Sequence, residues 1–227
     1  MKALSAVLCG LLVTALPSSS ALADNLITNG NFETGTLAGW TAFTTSNGTT
    51  GAGLPAVASF DTTGNGVSDA VHLDVGQLTV VLNSQQGGGL SQTFTAPTTG
   101  LYTLTEDFAS QDDANGQINA DAGTFSILID GVTVATDSLG SFRNPGVPSI
   151  LRGSFDISVD LTAGSHTIET EVTRIFTTSG SNTPDQFIDN ISLAPDSVPD
   201  VPEPNTLVLF GSGALGLAGM VRRKLLV

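Results

Sequence analysis

Carboxylates are the most frequent groups in this chain that could take part in chemistry. The 227 residues include 21 Asp and Glu against seven Lys and Arg, with two histidines and one cysteine. A Ser-His-Asp triad would depend on His72 or His166, and a glycosidase would need two carboxylates a fixed distance apart. The sequence contains no G-x-S-x-G, H-E-x-x-H or phosphate-binding loop. We therefore predict that the protein is not an enzyme, and that both histidines pack or lie at the surface.

Two acidic regions could attract cations. In the first, Asp61–Asp69, Asp and Asn oxygens occupy a Gly-rich stretch, but His72 stands where an EF-hand loop requires Glu. The second is predicted to form one long loop and comprises Glu106, Asp107, Asp112, Asp113, Asn115 and Asp121. Because Asp and Asn are ordinary turn residues, we interpret both regions as solvated turns, with weak calcium binding as the alternative.

The central part of the chain is strongly acidic. Between residues 24 and 200 there is no lysine, and Arg143, Arg152 and Arg174 stand against twenty carboxylates, a net charge of −17. A surface of this kind repels nucleic acid and anionic lipid and attracts cations. Nucleic acid is therefore not expected as a partner.

The hydrophobic pattern of this region has the period of β-strands. From Phe155 to Leu161, and again from Tyr102 to Phe108, apolar and polar residues alternate, as in a strand with one buried face. Asp130-Gly131 is a hairpin turn signal between two apolar runs. Further strands are predicted at 71–75, 77–82, 90–95, 125–129, 132–134, 166–172 and 187–193. Many short strands separated by turn residues favour an all-β, antiparallel sandwich.

The N-terminus has the pattern of a secretory signal peptide. Lys2 precedes an apolar run, Ala3–Leu16, and small residues end at Ala21-Leu22-Ala23. We predict a signal peptide over residues 1–23, with Asp24 as the first mature residue. The single cysteine, Cys9, lies inside the removed segment, so no thiol or disulfide chemistry is expected in the mature chain.

The C-terminal segment, residues 201–227, has three parts in a fixed order. Val201-Pro202-Glu203-Pro204 resists helix formation because each proline fixes φ and removes a donor. Residues 206–221 carry no charge, and Arg222, Arg223 and Lys224 follow them. An uncharged run that ends in positive charge is typical of a segment with its C-terminus on the cytoplasmic side. At about 1.5 Å per residue the run spans roughly 24 Å, short of a ~30 Å hydrocarbon core, which favours a transient anchor.

This arrangement resembles the PEP-CTERM sorting tail of Gram-negative bacteria that make exopolysaccharide. The resemblance implies that an exosortase-like enzyme of the inner membrane recognises the tail and cleaves it near the Pro-Glu-Pro motif. It therefore implies export, transient anchoring in the inner membrane through residues 206–221, and delivery to the cell surface or extracellular matrix. An ordinary C-terminal membrane anchor is the alternative.

The two ends of the mature region carry a second resemblance. The order of five short pieces is similar to that of the galactose-binding-like jelly rolls, which include carbohydrate-binding modules; the pieces are Asn29–Glu33, Gly39-Trp40, Gly89–Phe94, Gly100–Leu104 and Phe187–Leu193. The resemblance implies a jelly-roll β-sandwich over residues 24–193, followed by a linker at 194–200.

The jelly-roll resemblance also implies a structural Ca²⁺ between the first and last strands. Its ligands would be Glu33 and Asp189, with Asn190 where relatives often have a second acid. The chemistry fits, because Ca²⁺ takes six to eight hard oxygens. The alternative is that these residues are solvated acids at strand ends.

The aromatic residues offer few surfaces on which a sugar ring could stack. Trp40 is expected in the core and Tyr102 half-buried in its strand, while Phe43, Phe142 and Phe176 lie in loop-like contexts and could be exposed. This composition disfavours a stacking glycan site and leaves polar or calcium-bridged binding open.

The sequence as a whole predicts an exported, non-catalytic surface or matrix protein associated with exopolysaccharide in a biofilm. A carbohydrate-binding module with a defined glycan is the first alternative, and a glycoside hydrolase is the second.

Overall fold

The computed structural model describes residues 24–112, 121–142, 149–176 and 183–196. The predicted signal peptide, the tail 201–227 and the acidic-region residues Asp113 and Asn115 lie outside the described residues. Across these four ranges, no helix is long and apolar enough to cross a membrane. The described domain is all-β, as predicted.

The described residues form twelve strands. They are β1 (Thr41–Thr44), β2 (Gly48–Thr49), β3 (Ala56–Phe60), β4 (Ser68–Leu73), β5 (Gly76–Gln77), β6 (Gln85–Ala96), β7 (Gly100–Asp112), β8 (Thr124–Ile129), β9 (Val132–Ser138), β10 (Ser149–Leu161), β11 (Gly164–Ile175) and β12 (Asp185–Pro195).

Two five-stranded antiparallel sheets form a jelly-roll sandwich. The first sheet has the order β1-β6-β11-β8-β9 and the second has the order β10-β7-β12-β4-β3, while β2 and β5 pair separately. Consecutive long strands such as β6 and β7 lie in different sheets, so the chain crosses repeatedly between the layers. The last strand, β12, lies in the middle of the second sheet and continues to Pro195, two residues beyond the predicted end of the domain.

Strand register defines two ends of the sandwich. Gly164 pairs with Ala96 at one end of β6 and β11, and Ile175 pairs with Gln85 at the other. The described chain ends at the first of these, where the Asp196 amide donates a hydrogen bond to the Leu101 carbonyl (3.0 Å). We call this the exit end. The segment that precedes β6, residues 78–84, lies at the opposite, far end.

Most of the predicted strands are confirmed, but the one at 77–82 is wrong. Only Gly76–Gln77 pairs as a strand, and residues 78–82 form a projecting loop. Side-chain amides supply the hydrogen bonds that a neighbouring strand would otherwise make. Asn47 bonds the backbone N and O of Thr79, and Gln77 bonds the backbone N and O of Val81. The apolar pattern therefore lies on a loop, with its side chains in solvent.

The predicted long acidic loop is also wrong for every member that the structure describes before residue 113. Glu106, Asp107 and Asp112 all lie in β7. Asp121 is buried rather than solvated: its carboxylate accepts hydrogen bonds from Gly123 N (2.9 Å) and Ile175 N (2.6 Å). A strand with one buried face places successive residues on opposite sides, so the run of acids is divided between the core and the outer face.

The buried face of β7 carries a carboxyl group into the core. Tyr102, Leu104 and Phe108 of this face are fully buried, and Glu106, between them, is 1% exposed. The two carboxyl oxygens have no hydrogen-bond partner. Burial raises the pKa of Glu106 to about 8; the nearby Thr170 hydroxyl, which is not in hydrogen-bonding geometry, opposes this shift, and the charge of Asp107 adds to it. Glu106 is therefore a neutral core residue at neutral pH.

This carboxyl group predicts a decline of folding stability with rising pH. The unfolded chain ionises Glu106 near pH 4.5, whereas the folded protein keeps it protonated up to about pH 8. The contribution of Glu106 to the free energy of unfolding is fully present below pH 4.5. It is lost between pH 4.5 and about pH 8, at about 1.4 kcal/mol per pH unit. In Glu106→Gln this part of the decline disappears, so the free energy of unfolding of the variant increases relative to that of the wild type as pH rises. Urea unfolding from pH 5 to pH 9 measures the difference.

Glu169→Gln is the matched control, because Glu169 lies on β11 and is only partly buried. Its pH profile should parallel that of the wild type. A wild-type profile that matches Glu106→Gln across the whole range would contradict the buried neutral carboxyl.

Candidate functional site

The first residues of the domain are joined to the last strand through the backbone. Leu26 N donates to Leu193 O (2.8 Å), and Ile191 N donates to Gly30 O (2.9 Å). A Cβ on Gly30 would lie 2.0 Å from the Ile191 carbonyl oxygen, so only glycine permits this approach. The first and last parts of the described domain therefore lie together, and this contact determines where Glu33 and Asp189 lie.

Three carboxylates gather on the outer face of the second sheet, and we call them the carboxylate cluster: Glu33, Asp107 and Asp189. Asp189 Oδ2 accepts a hydrogen bond from Ser68 Oγ (2.7 Å), and Glu33 Oε1 accepts one from the next residue's amide, Asp69 N (3.2 Å). Because both acids bind the start of β4, they lie near each other.

Asn190 meets the cluster through its amide nitrogen. The β12 register shifts between Asp189 and Ser192, and Asn190 has a φ of 54° at this irregularity. Its Nδ2 donates to Asp107 Oδ2 (2.9 Å). From the sequence, Asp107 is assigned to the acidic loop and is therefore missed as a member of this site. Asp107 directly follows the inward-facing Glu106 in an alternating strand, and this alternation is the signal that predicts an outward-facing Asp107.

The surroundings of Asp189 disfavour the ionised form of its carboxyl group. Burial raises the pKa of Asp189, hydrogen bonds from Ser68 and Asn190 N oppose the shift, and the charges of Asp107 and Glu33 raise it further. Clustered carboxylates raise each other's pKa unless a cation offsets their charge. Hard oxygens of this kind suit Ca²⁺. In the described ranges, however, no three His, Cys, Asp or Glu side chains already converge as a metal-binding group, and calcium stays a prediction.

The first acidic region folds back over the outer face of the second sheet. Arg152, on the edge strand β10, donates from Nε and Nη2 to the Asp61 carbonyl (3.1 and 2.9 Å), which follows the opposite edge strand β3. The Asp61 carboxylate closes a turn by accepting from Gly64 N and Gly66 N (2.7 and 3.2 Å). This loop connects the neighbouring strands β3 and β4, whose residues Phe60 and Ser68 pair directly, and Ser68 is the partner of Asp189.

A polar groove of about 400 Å³ lies beside the carboxylate cluster, and its lining residue Asn190 bonds Asp107 of that cluster. Its other polar lining residues are Asn25, Asn29, Asn31, Thr105 and Ser192. The Asn25 side chain accepts hydrogen bonds from Ile27 N and from Leu193 N of the last strand, and the Asn29 side chain donates to the Thr36 carbonyl. Asn31 is exposed, and its side chain makes no hydrogen bond within the described residues. The groove therefore presents amide and hydroxyl groups to solvent.

Both histidines have structural partners. His166 pairs with Asp130 Oδ2 through Nδ1 (2.7 Å) and with the Thr162 carbonyl through Nε2 (2.9 Å), and the bond to Asp130 raises its pKa. His72 pairs with Asp185 (2.9 Å) and stacks on Phe187 at 4.9 Å. Neither ring contacts a serine hydroxyl in the described structure, so no triad forms there.

The aromatic residues follow the predictions in part. Trp40 is 8% exposed and donates from Nε1 to the Asn29 carbonyl (3.1 Å), so its core position is confirmed. Tyr102 is fully buried rather than half-buried, and Phe142, whose loop-like context left exposure open, is only 2% exposed. Phe43 and Phe176 are half-buried, the latter with Arg174 5.1 Å over its ring. Neither the single Trp nor the single Tyr can act as a sugar platform.

The tail was compared with known protein families. Residues 200–224 match the family model described as the PEP-CTERM protein-sorting motif. The predicted resemblance of the tail is confirmed, although the match does not extend to the β-sandwich. The chain therefore carries a signal for exosortase-dependent export with transient anchoring through its C-terminal segment.

The comparison with solved structures gives distant similarities. TmCBM61 in complex with β-1,4-galactotriose is 15% identical with a TM-score of 0.42, over 76% of this chain and 99% of that one. A Stig cyclase from Fischerella sp. TAU is 16% identical with a TM-score of 0.44, over 77% and 97%. A family 35 carbohydrate-binding module from Clostridium thermocellum has a TM-score of 0.30 at 16% identity, over 67% and 92%. No curated protein sequence matches the chain.

The carboxylate cluster predicts a response to chelation. If Ca²⁺ offsets the charges of Glu33, Asp107 and Asp189, EDTA lowers the thermal midpoint of residues 24–200 and added CaCl₂ restores it. Glu33→Gln and Asp189→Asn should lose most of this calcium-dependent shift. Differential scanning calorimetry with and without EDTA measures it.

Asp156→Asn is the matched control, because Asp156 is an exposed acid on the outer face of β10 outside the cluster. It should respond to EDTA like the wild type. A melt of the wild type that EDTA leaves unchanged would remove the structural calcium.

Proposed function

We propose that this is an exported, non-catalytic protein of the cell surface or extracellular matrix, released from the inner membrane by an exosortase-type enzyme and associated with exopolysaccharide. The observation that carries the proposal is the sorting-motif match at residues 200–224. It follows a β-sandwich whose described core lies entirely between Leu26 and Leu193. The folded domain is therefore the part of the protein that is exported, and the tail is the sorting signal.

The non-catalytic role is supported by how the titratable groups are used. Both ring nitrogens of His166 are occupied, and His72 is held between Asp185 and Phe187. Glu106, whose pKa suits a general acid, is enclosed between the sheets where a substrate has no access. His166 lines a surface groove, but both of its ring nitrogens are bonded within the domain and are not free to act on a substrate.

The alternative is a carbohydrate-binding module with a defined glycan, and the polar groove favours it. Asn31, Thr105, Asn190 and Ser192 offer amide and hydroxyl groups suited to sugar hydroxyls. Beside them, a Ca²⁺ held by Glu33, Asp107, Asp189 and the Asn190 amide could complete its coordination with oxygens of an anionic polysaccharide. Such a bridge would let an acidic domain bind an acidic polymer that it would otherwise repel.

The sorting function can be tested on the Pro-Glu-Pro motif. Replacing Pro202, Glu203 and Pro204 with Ala removes the recognition motif but keeps the uncharged run and the basic cluster that stop the chain in the membrane. We expect the unprocessed protein to accumulate in the inner-membrane fraction, and fractionation with immunoblotting measures this. Pro199→Ala, just before the matched residues, is the control. Normal release of the triple variant would instead indicate an ordinary anchor or another route.

Glycan association can be tested by binding residues 24–200 to the producing cell's exopolysaccharide, with Ca²⁺ or with EDTA. We expect saturable binding that EDTA abolishes. Asn31→Ala should weaken it roughly three- to tenfold through the loss of one or two hydrogen bonds. Asn65→Ala, an exposed asparagine of the Asp61 loop, should have no effect. Binding that persists unchanged in Asn31→Ala would place the glycan elsewhere, and no binding would leave a structural surface protein.

A further inference from the structure

The far end of the sandwich carries a group of exposed aliphatic side chains. Leu78 is 74% exposed, and Val80, Val81 and Leu82 are 50–52% exposed. We call residues 78–82 the apolar knob. Contiguous apolar surface of this kind on a soluble domain usually marks an interaction site. The surrounding sequence sharpens the contrast, because residues 75–105 contain no charged residue in a domain with a net charge of −17.

The knob is held in a fixed conformation that is ready for contact with an apolar surface. Leu78 N donates to the Asn47 carbonyl (3.0 Å), and the Asn47 side chain bonds Thr79 N (3.1 Å) and Thr79 O (2.7 Å). Gln77 bonds Val81 N (2.7 Å) and Val81 O (3.2 Å). Five backbone groups are therefore satisfied within the loop, so burying the knob leaves few polar groups without partners and costs little ordering entropy.

An apolar groove lies at the exit end, between the β8–β9 hairpin and β10. Its volume is about 460 Å³, within the range of pockets that hold a compact ligand. Its apolar lining comes from Ile129, Val132, Val134, Val159 and Leu161, and Val132 is 66% exposed. Its polar lining comes from Asp130, Ser158, Asp160, Thr162 and His166. The Asp130 carboxylate is paired with His166 Nδ1 (2.7 Å), whereas Asp160 is an exposed acid.

The knob and the groove lie at opposite ends of one molecule. The knob directly precedes β6, which begins at Gln85, whereas the groove residues Leu161 and His166 lie beside the Ala96–Gly164 end of β6 and β11. Twelve residues of strand at about 3.3 Å each separate the two by roughly 35–40 Å. The knob therefore cannot fill the groove of its own domain.

We propose that the groove receives the apolar knob of a second copy of this chain. A surface feature that complements a pocket elsewhere on the same molecule makes a heterologous contact, which repeats in an open, head-to-tail array. Electrostatics favours this occupant: two such acidic domains repel over most of their surfaces, and the uncharged knob is where a copy can approach closely. The contact is small beside the ~800 Å² per partner of a stable interface, so association is weak and concentration-dependent.

The test uses the exported protein purified from the producing cells, with its mass followed by sedimentation velocity over a range of concentrations. We expect the average mass to rise past that of a dimer as concentration increases. Raising the salt concentration should strengthen association, because it screens repulsion between acidic domains without weakening an apolar contact. A monomer at all concentrations up to roughly 1 mM would overturn the proposal.

Two variants separate the two halves of the contact. Leu78→Asp alters the knob and Val132→Asp alters the groove, and each should be a monomer with an unchanged thermal midpoint because both side chains are exposed. Mixed together, they should form a complex no larger than a dimer, since one intact knob and one intact groove remain. Val67→Asp is the control for the added charge: Val67 is 72% exposed and lies outside both features. It should associate like the wild type.

The other outcomes contradict the proposal in distinct ways. If Leu78→Asp abolishes association while Val132→Asp does not, the knob pairs with another knob and the groove is not involved. If the wild type stays monomeric but sediments with phosphatidylcholine vesicles, and Leu78→Asp does not, the knob contacts lipid. Failure of glycan binding leaves this test unaffected, because neither variant touches the polar groove or the carboxylate cluster.

Discussion

The backbone contact between the N-terminal turn and the last strand is the constraint on which the rest of the structure depends. It joins residues more than 160 positions apart through Leu26–Leu193 and Gly30–Ile191 hydrogen bonds. Because β12 lies in the middle of the second sheet, this contact fixes the turn against the centre of the sandwich rather than at an edge. The carboxylate cluster and the polar groove are both formed along this junction, so the candidate site and the closure of the fold share one structural origin.

Charge is the second constraint. The domain has three arginines for twenty carboxylates, and two of them are committed to structure: Arg152 holds the Asp61 loop, and Arg174 is buried with its Nε on the Asp121 carbonyl (2.8 Å). Burial lowers the pKa of Arg174 to about 10, and the neighbouring Asp121 and Asp74 oppose the shift. The other carboxylates have no arginine committed to them in this way, so close contact of this domain with an anionic polymer would require cations.

The sequence predicted those features that repeat along the chain. Alternation from Phe155 to Leu161 and from Tyr102 to Phe108 identified β10 and β7, because a half-buried strand imposes a period of two. The short strands β1, β2 and β3 were not predicted, since two to five residues carry little periodicity. Residues 78–82 show the opposite failure, because their composition suits a strand but they form a loop. Their backbone groups bond the side chain of Asn47, which is distant in sequence, and that of Gln77, which no sequence pattern marks. The family resemblance brought Glu33 and Asp189 together, whereas Asp107 could be added only once the register of β7 and β12 was known.

The C-terminal end of β12 lies at one end of the sandwich and so gives the domain a direction. Asp196 is bonded to Leu101 at the exit end, the same end that carries the apolar groove. The chain leaves the described domain at its groove end, opposite to the knob, so a tether through the tail would hold that end. An array of such domains would be polar, with a tethered first member that can accept further copies only on its outer side. Removal of the tail would then do more than release one molecule. It would turn the tethered first member of an array into a free molecule that can bind further copies at both ends.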